Sequence, residues 1–220
     1  MINIIFLGAP GSGKGTQAAL LANDLKIPNI SAGEILRKEV ADKSEVGVLA
    51  KTYMDSGQLV PDSVVVDIIK KRISDIDCVS GFILDGFPRN LHQAEILEVM
   101  LSDVGKKINL VLNIEVDEDV LVKRISGRFS CKKCGTVYNH FFNQTKVPNI
   151  CDKCGSTEFI SRSDDNEETV KNRLQVYNDN TRELISFYGK KSLIYSVDGL
   201  KNIALVNSEI NKICKEKFGI

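Results

Sequence analysis

Short apolar, β-branched runs alternate along the chain with segments whose apolar positions recur every three or four residues. The runs lie at 3–7, 29–30, 82–85, 110–115 and 193–198, the second very short and none approaching the length of a bilayer span. Helical periodicity occupies 14–25, 32–41, 63–73, 91–101, 118–125, 167–188 and 201–217. Strands alternating with helices of this length predict an α/β fold, a parallel sheet covered on both faces. Two stretches break the rhythm. Residues 31–60 add helices after a very short strand, and Ser31-Ala32-Gly33-Glu34 has the spacing of a capping box. Residues 127–165 are poor in helical pattern and rich in turn residues. Both read as small insertions mounted on a core.

Composition narrows the class. A chain of 220 residues, 43% hydrophobic and 26% charged, can bury one good core and is ordinary for a soluble globular protein. Its 29 basic residues balance 29 acidic ones, so the global basic excess expected of a nucleic-acid or anionic-membrane binder is missing. The apolar start, Met1 to Leu7, lacks the positive charge of a signal peptide and reads as a buried strand. The expectation is a cytoplasmic protein with no membrane or nucleic-acid partner. A monomer is expected because no interface stripe is evident.

Chemistry enters with Gly8-Ala9-Pro10-Gly11-Ser12-Gly13-Lys14-Gly15-Thr16, which follows the first predicted strand and opens the first predicted helix. Glycines let successive backbone N–H groups point inward, the helix N-terminus adds partial positive charge, and Lys14 supplies a point charge to the outer phosphates. This is a phosphate-binding P-loop. The residue after Lys14 is Gly15 rather than Ser or Thr, so the usual hydroxyl ligand for magnesium is displaced to Thr16 or missing. Asp85 ends an apolar strand, the position from which a carboxylate faces magnesium directly or through its waters. Arg89 follows just past that strand, and Arg37, Arg124, Arg128, Arg162 and Arg173 recur outside the strands. Planar guanidinium groups suit the charge spread over a transferring phosphoryl group. Neither of the two histidines, His92 and His140, belongs to a general-base pattern. A phosphate acceptor needs no base, since its second pKa lies near 6.

Four of the six cysteines form the spacing Cys131-x2-Cys134-x16-Cys151-x2-Cys154. Four thiolates close a zinc tetrahedron and leave no open position, which predicts a structural site. Cys78 and Cys214 read as small hydrophobes. The same insertion is locally basic, with Arg128, Lys132, Lys133, Lys146, Lys153 and Arg162 facing only Asp152 and Glu158. A nucleotide-switched zinc ribbon on nucleic acid is therefore one alternative. A lid over nucleotide phosphates needs the same charge, and the rest of the chain carries no basic stripe.

Taken with Ser31-Ala32-Gly33-Glu34-Ile35-Leu36-Arg37, Gly57-Gln58-Leu59-Val60-Pro61-Asp62, Asp85-Gly86-Phe87-Pro88-Arg89 and Arg162-Ser163-Asp164-Asp165, the loop resembles the adenylate kinase family over essentially the whole chain. The resemblance implies reversible, direct in-line phosphoryl transfer from MgATP to AMP, giving two ADP. It implies a P-loop three-layer fold whose five-stranded parallel core comprises 1–30, 61–126 and 165–220. Residues 31–60 would be a helical monophosphate-binding insertion and 127–164 a zinc-binding lid that closes. Carried over position by position, Lys14, Arg89, Arg124, Arg162 and Arg173 would surround the transferring group. ATP would meet Gly11, Ser12, Gly13, Lys14, Gly15, Thr16, Arg124, Arg128, Val137, Tyr138 and Lys201. AMP would meet Ser31, Ala32, Arg37, Gln58, Leu59, Val60, Gly86, Phe87, Pro88, Arg89, Gln93, Arg162 and Arg173. Asp85 would orient hydrated magnesium, with Asp164 and Asp165 near the arginines and the lid hinge. Members of this type usually carry Thr where Ala32 stands, and Ala32 with Asn90 resembles UMP/CMP kinases, a second alternative. Gln93, Leu59-Val60-Pro61-Asp62 and the long cysteine lid point to AMP, since Gln93 offers adenine both a donor and an acceptor.

Overall fold

The apolar run that opens the chain forms β1 (Ile2–Leu7), whose side chains alternate between two cores: Ile5 and Leu7 enter one, Ile4 and Phe6 the other. In the computed structural model, which describes residues 1–219, the chain continues as α1 (Lys14–Leu25), β2 (Asn29–Ser31), α2 (Ala32–Ala41), α3 (Glu45–Asp55), α4 (Asp62–Ile73), β3 (Gly81–Asp85), α5 (Leu91–Asp103), β4 (Leu110–Glu115) and α6 (Glu118–Ser126). The cysteine-bearing insertion adds β5 (Arg128–Cys131), β6 (Val137–Asn139) and β7 (Phe159–Ile160), followed by α7 (Glu167–Val176), α8 (Glu183–Lys190), β8 (Ile194–Asp198) and α9 (Ile203–Phe218).

Five strands pair in the order β2-β3-β1-β4-β8, all parallel. Parallel strands joined by helical crossovers must have both faces covered. The larger core packs α2, α4, α5 and α8 against one face through Leu36, Ile69, Leu97 and Tyr188. The other packs α1 and α9 through Leu21 and Ile210. The central position of β1 puts the loop after it where the strand order reverses, at the carboxyl edge where open α/β sheets bind ligands. Among the described residues, no helix is long and apolar enough to cross a membrane.

Two local expectations are revised. Ser31 does stand at the N-cap of α2, but its side chain makes no capping bond, and the Glu34 carboxylate that would complete the box is engaged by Arg37 and Arg162. The helix expected over 167–188 is interrupted by a widened π turn, Tyr177–Thr181, which carries the Thr181 hydroxyl to the carbonyl oxygen of Arg89 at 2.7 Å. The other helices follow the pattern closely, helped by side-chain N-caps that the pattern did not name: Asn90 on α5, Asn166 on α7 and Asn202 on α9.

Candidate active site

Beyond β1 the chain turns through Gly13, which sits at φ 99 as the N-cap of α1, a left-handed position that glycine takes without steric cost. Lys14 folds back over this loop, its Nζ donating to the carbonyl oxygens of Gly8 at 2.6 Å and Ala9 at 2.8 Å. Asp85 lies one strand away, with its backbone in register with Phe6. A Cβ at Gly15 would come within 3.2 Å of the Asp85 carboxylate, which accounts for glycine where a hydroxyl residue is commoner: the acid packs against the first turn of α1. The Ser12 hydroxyl is buried beside this turn without a hydrogen-bond partner among the described residues.

The loop floors a cleft of about 1910 Å³. Gly11, Ser12, Gly13, Lys14, Gly15, Thr16, Asp85, Arg124, Arg128, Val137, Tyr138 and Lys201 all line it, as do Ser31, Pro88 and Arg162. A smaller adjoining cavity between α2, α3 and α5 is lined by Ala32, Gln58, Leu59, Val60, Gly86 and Gln93. Arg37, Arg89 and Arg173 border both. The structure thus brings together almost all the residues expected at the site. Phe87 is the exception: fully buried, it packs into the larger core and holds the strand end rather than facing either space.

The cations fall into two groups. Arg128 makes a bidentate pair with Asp165 (2.8 and 2.5 Å), Arg173 bonds Asp164 at 2.9 Å, and Arg37 and Arg162 share one oxygen of Glu34 at 2.6 and 2.5 Å. Arg89 has only the carbonyl oxygen of Gly86, to which its Nε donates at 2.9 Å, and Lys14 only its two carbonyls; neither lies within ion-pair distance of a carboxylate among the described residues. Arg37 Nε is buried with no hydrogen-bond partner among the described residues. Burial lowers the pKa of Arg89, with Arg173 adding to the effect and Asp85 opposing it. Burial also lowers those of Arg162, Arg173 and Arg124. Buried like charges that depress one another are stabilised together by a polyanion.

Above the cleft, β5, β6 and β7 form an antiparallel sheet whose core is Cys131, Tyr138 and Cys151, with Phe129, Cys134, Cys154 and Phe159 packed around it. The four sulfurs of Cys131, Cys134, Cys151 and Cys154 lie within 4.8 Å of one another and form no disulfide. Two of their separations are 3.5 Å, near the roughly 3.8 Å between sulfurs of a tetrahedron with zinc–sulfur bonds of about 2.3 Å. The donor set fits a tetrahedral thiophilic metal. Tyr138 lines the cleft, but its hydroxyl is committed inside this sheet, where it donates to Cys151 Sγ at 3.4 Å and accepts from the Asp152 N–H at 2.8 Å. That bond pushes the Cys151 thiol down to about 6, toward the thiolate a metal needs.

The sequence reading missed Phe142, an exposed aromatic at the cleft whose ring centre lies 5.5 Å from the Arg124 guanidinium. It also missed the environment of Gln93. Asn90, beyond capping α5, braces the Asp62 carboxylate, so its presence is explained by local structure.

Comparison with known proteins agrees with this geometry. The family model for adenylate kinase matches residues 6–193. An adenylate kinase of Archaeoglobus fulgidus is 51% identical over 215 residues, covering 98% of this chain and 99% of the relative. Those of Thermodesulfovibrio yellowstonii and Enterococcus faecalis are 48% and 45% identical, each over 98% of this chain and 100% of the relative. The chain belongs to the adenylate kinase family.

For an adenylate kinase, one property of Lys14 has a measurable outcome. Burial lowers its pKa to about 8, with Arg89, Arg173 and Arg128 adding to the effect and Asp85 opposing it. Above that pH the free protein increasingly carries a neutral lysine, whereas a bound polyphosphate favours the ammonium form and raises the pKa. ATP affinity is therefore expected to weaken as pH rises through about 8. Binding at pH 9 should take up close to one proton. Titration calorimetry in two buffers of different ionisation enthalpy measures this uptake; identical heats at pH 9 would refute it.

Proposed function

We propose that ATP lies along the loop from Gly11 to Thr16 beneath the β5–β7 sheet, and AMP in the cavity between α2, α3 and α5, with the phosphoryl group passing in line between them. The activity is that of an adenylate kinase, ATP plus AMP to and from two ADP. The observation that carries the division of roles is the pairing of the cations: among the described residues Arg89, which borders both spaces, and Lys14 at the loop lack carboxylate partners, as does Arg124, which instead faces the Phe142 ring, whereas Arg37, Arg128, Arg162 and Arg173 are held by acids at the rim.

On this reading Arg89 and Lys14 stay with the reacting phosphates, while the rim arginines exchange carboxylate for phosphate as the lid and the 31–60 insertion close and exclude water. Arg37 and Arg89 hold the AMP phosphate, and Gln93 reads its base. Arg124 and Phe142 flank the ATP base, with Arg128, Val137, Tyr138 and Lys201 along the nucleotide. AMP brings its own ionised nucleophile, so no side chain has to act as general base. Asp85, packed against Gly15, would hold magnesium through its waters, and the ion would supply positive charge against the outer phosphates. Cys131, Cys134, Cys151 and Cys154 would hold a structural zinc.

A coupled assay offering AMP, GMP, CMP and UMP in turn tests the acceptor. The specificity constant for the acceptor, kcat/KM, should favour AMP by at least about a hundredfold, as for a site whose buried polar groups are matched to one base. Higher kcat/KM with CMP would overturn the AMP assignment in favour of a pyrimidine acceptor.

A further inference from the structure

We propose that Asp62 is a specificity-determining residue that fixes the orientation of the Gln93 amide and so confines acceptors to bases presenting an amino donor beside a ring-nitrogen acceptor. The inference rests on Gln93 as reader of the base.

Gln93 is 2% exposed and borders the small cavity. Its Oε1 accepts from the Arg89 backbone N–H at 2.8 Å, and its Nε2 donates to Asp62 Oδ1 at 2.7 Å. A backbone N–H only donates and a carboxylate only accepts. Flipping the amide would set oxygen against oxygen at one end and N–H against N–H at the other. A glutamine with neutral hydroxyl neighbours could read either polarity by turning over, but this one is held in one sense.

The lock is itself braced. Asp62 opens α4 and receives three donors from the start of α5: Gln93, the Asn90 side-chain amide at 3.0 and 3.2 Å, and His92 Nδ1 at 2.9 Å. Because the carboxylate can only accept, His92 carries its hydrogen on Nδ1. Asn90 Oδ1 also caps the Gln93 backbone N–H at 2.8 Å, which ties the glutamine's own main chain to the same network. Partial burial alone would raise the Asp62 pKa, yet the bonds from His92, Gln93 and Asn90 hold it below the usual carboxylate range, so it remains an acceptor at neutral pH.

After these bonds the amide retains one oxygen lone pair and one N–H. Adenine offers its 6-amino donor and N1 acceptor, and cytosine offers its 4-amino donor and N3 acceptor. Hypoxanthine, guanine and uracil reverse both, presenting a keto acceptor beside a ring N–H. A reversed base leaves two buried polar groups opposed, a larger loss than a missing contact.

The decisive pairs are therefore AMP against IMP and CMP against UMP, because each changes polarity with little change of shape. Wild type should favour the amino member of both pairs. In Asp62→Asn the new amide can donate or accept, and the AMP/IMP ratio of kcat/KM should fall about tenfold, the equivalent of one net hydrogen bond. The change should lie in the KM for the acceptor, with the KM for ATP held within about twofold. Gln93→Ala should lower the ratio further. If both Asp62→Asn and Asp62→Ala keep the wild-type ratio while Gln93→Ala loses it, the lock is wrong and Gln93 still reads the base. An unchanged ratio in Gln93→Ala overturns the reader and the lock together. Equal losses with AMP and IMP in Asp62→Asn mark a merely structural role and also overturn the proposal. Asp62→Asn keeps the shape of the side chain, so it decides the matter even if Asp62→Ala unfolds.

Discussion

Replacing Arg89 by alanine should lower kcat by at least about a thousandfold, the scale associated with an arginine that stabilises a transferring phosphoryl group. Arg89 borders both the cleft and the smaller cavity, and among the described residues only a backbone carbonyl bonds its guanidinium, so its charge is free for the phosphates proposed to lie there. Its main chain is anchored independently, through the Thr181 hydroxyl on its carbonyl and Gln93 on its N–H, and both bonds survive truncation of the side chain. The alanine variant should therefore unfold near the wild-type temperature and still favour AMP over IMP. Loss of rate with preserved fold and preserved base preference separates a catalytic role from a structural one. Arg89→Lys restores the charge but not the planar fork, and should recover only part of the rate. Steady-state kinetics with both nucleotides varied, alongside thermal unfolding, measure this; a kcat within about tenfold of wild type for Arg89→Ala would remove Arg89 from the transfer step.

Local chemistry made the framework of this protein legible, and long-range pairing made the rest obscure. β1 and β4 are mostly apolar, interrupted by Asn3 in one and by Asn113 and the terminal Glu115 in the other, because both faces of a parallel sheet are covered, and no partner need be known to see them. The loop before α1 is written in its glycines, and the thiol cluster in its spacing. The reading of Ser31 and Glu34 as a capping box failed for a different reason. Glu34 is claimed by Arg37 on its own helix and by Arg162, which lies 128 positions along the chain. The interruption after α7 accompanies a bond from Thr181 to an arginine 92 residues away, which no local pattern displays. The resemblance implies that Tyr138 meets the nucleotide, and it lines the cleft; that its hydroxyl also serves Cys151 inside the lid sheet is not legible in the sequence. Gln93 is visible in the sequence as a residue with both a donor and an acceptor; which of its ends faces which partner depends on Asp62, 31 positions away. In each case the residue type was visible and its commitment was not, because commitment depends on which groups the fold brings within bonding distance.

The thiol cluster supports the second large effect. The lid sheet buries few side chains of its own: Cys131, Tyr138 and Cys151 are fully covered, and two of those three are thiols. So small a core cannot offset the entropy of ordering more than thirty residues without a cross-link. The chain as purified without chelator should hold one zinc, and chelation should release four thiols to a colorimetric reagent. Hydrogen exchange should then show the amides of β5, β6 and β7 losing most of their protection, while β1, β3 and β4 keep theirs, because the parallel sheet has separate cores. Cys151→Ser should reproduce this pattern, since it removes a ligand and also the sulfur that meets the Tyr138 hydroxyl. Catalysis should fall with the lid although the cysteines are assigned no part in the transfer: Arg128 and Arg162 line the cleft from within the segment that would lose its order, and an open cleft admits water to the phosphates. ATP should bind more weakly, while AMP, proposed for the cavity lined by α2, α3 and α5, should lose less. A zinc content near zero, or a lid still protected after chelation, would mean that the four thiols pack as an ordinary small core and that the aromatic cluster of Phe129, Tyr138 and Phe159 holds the sheet unaided.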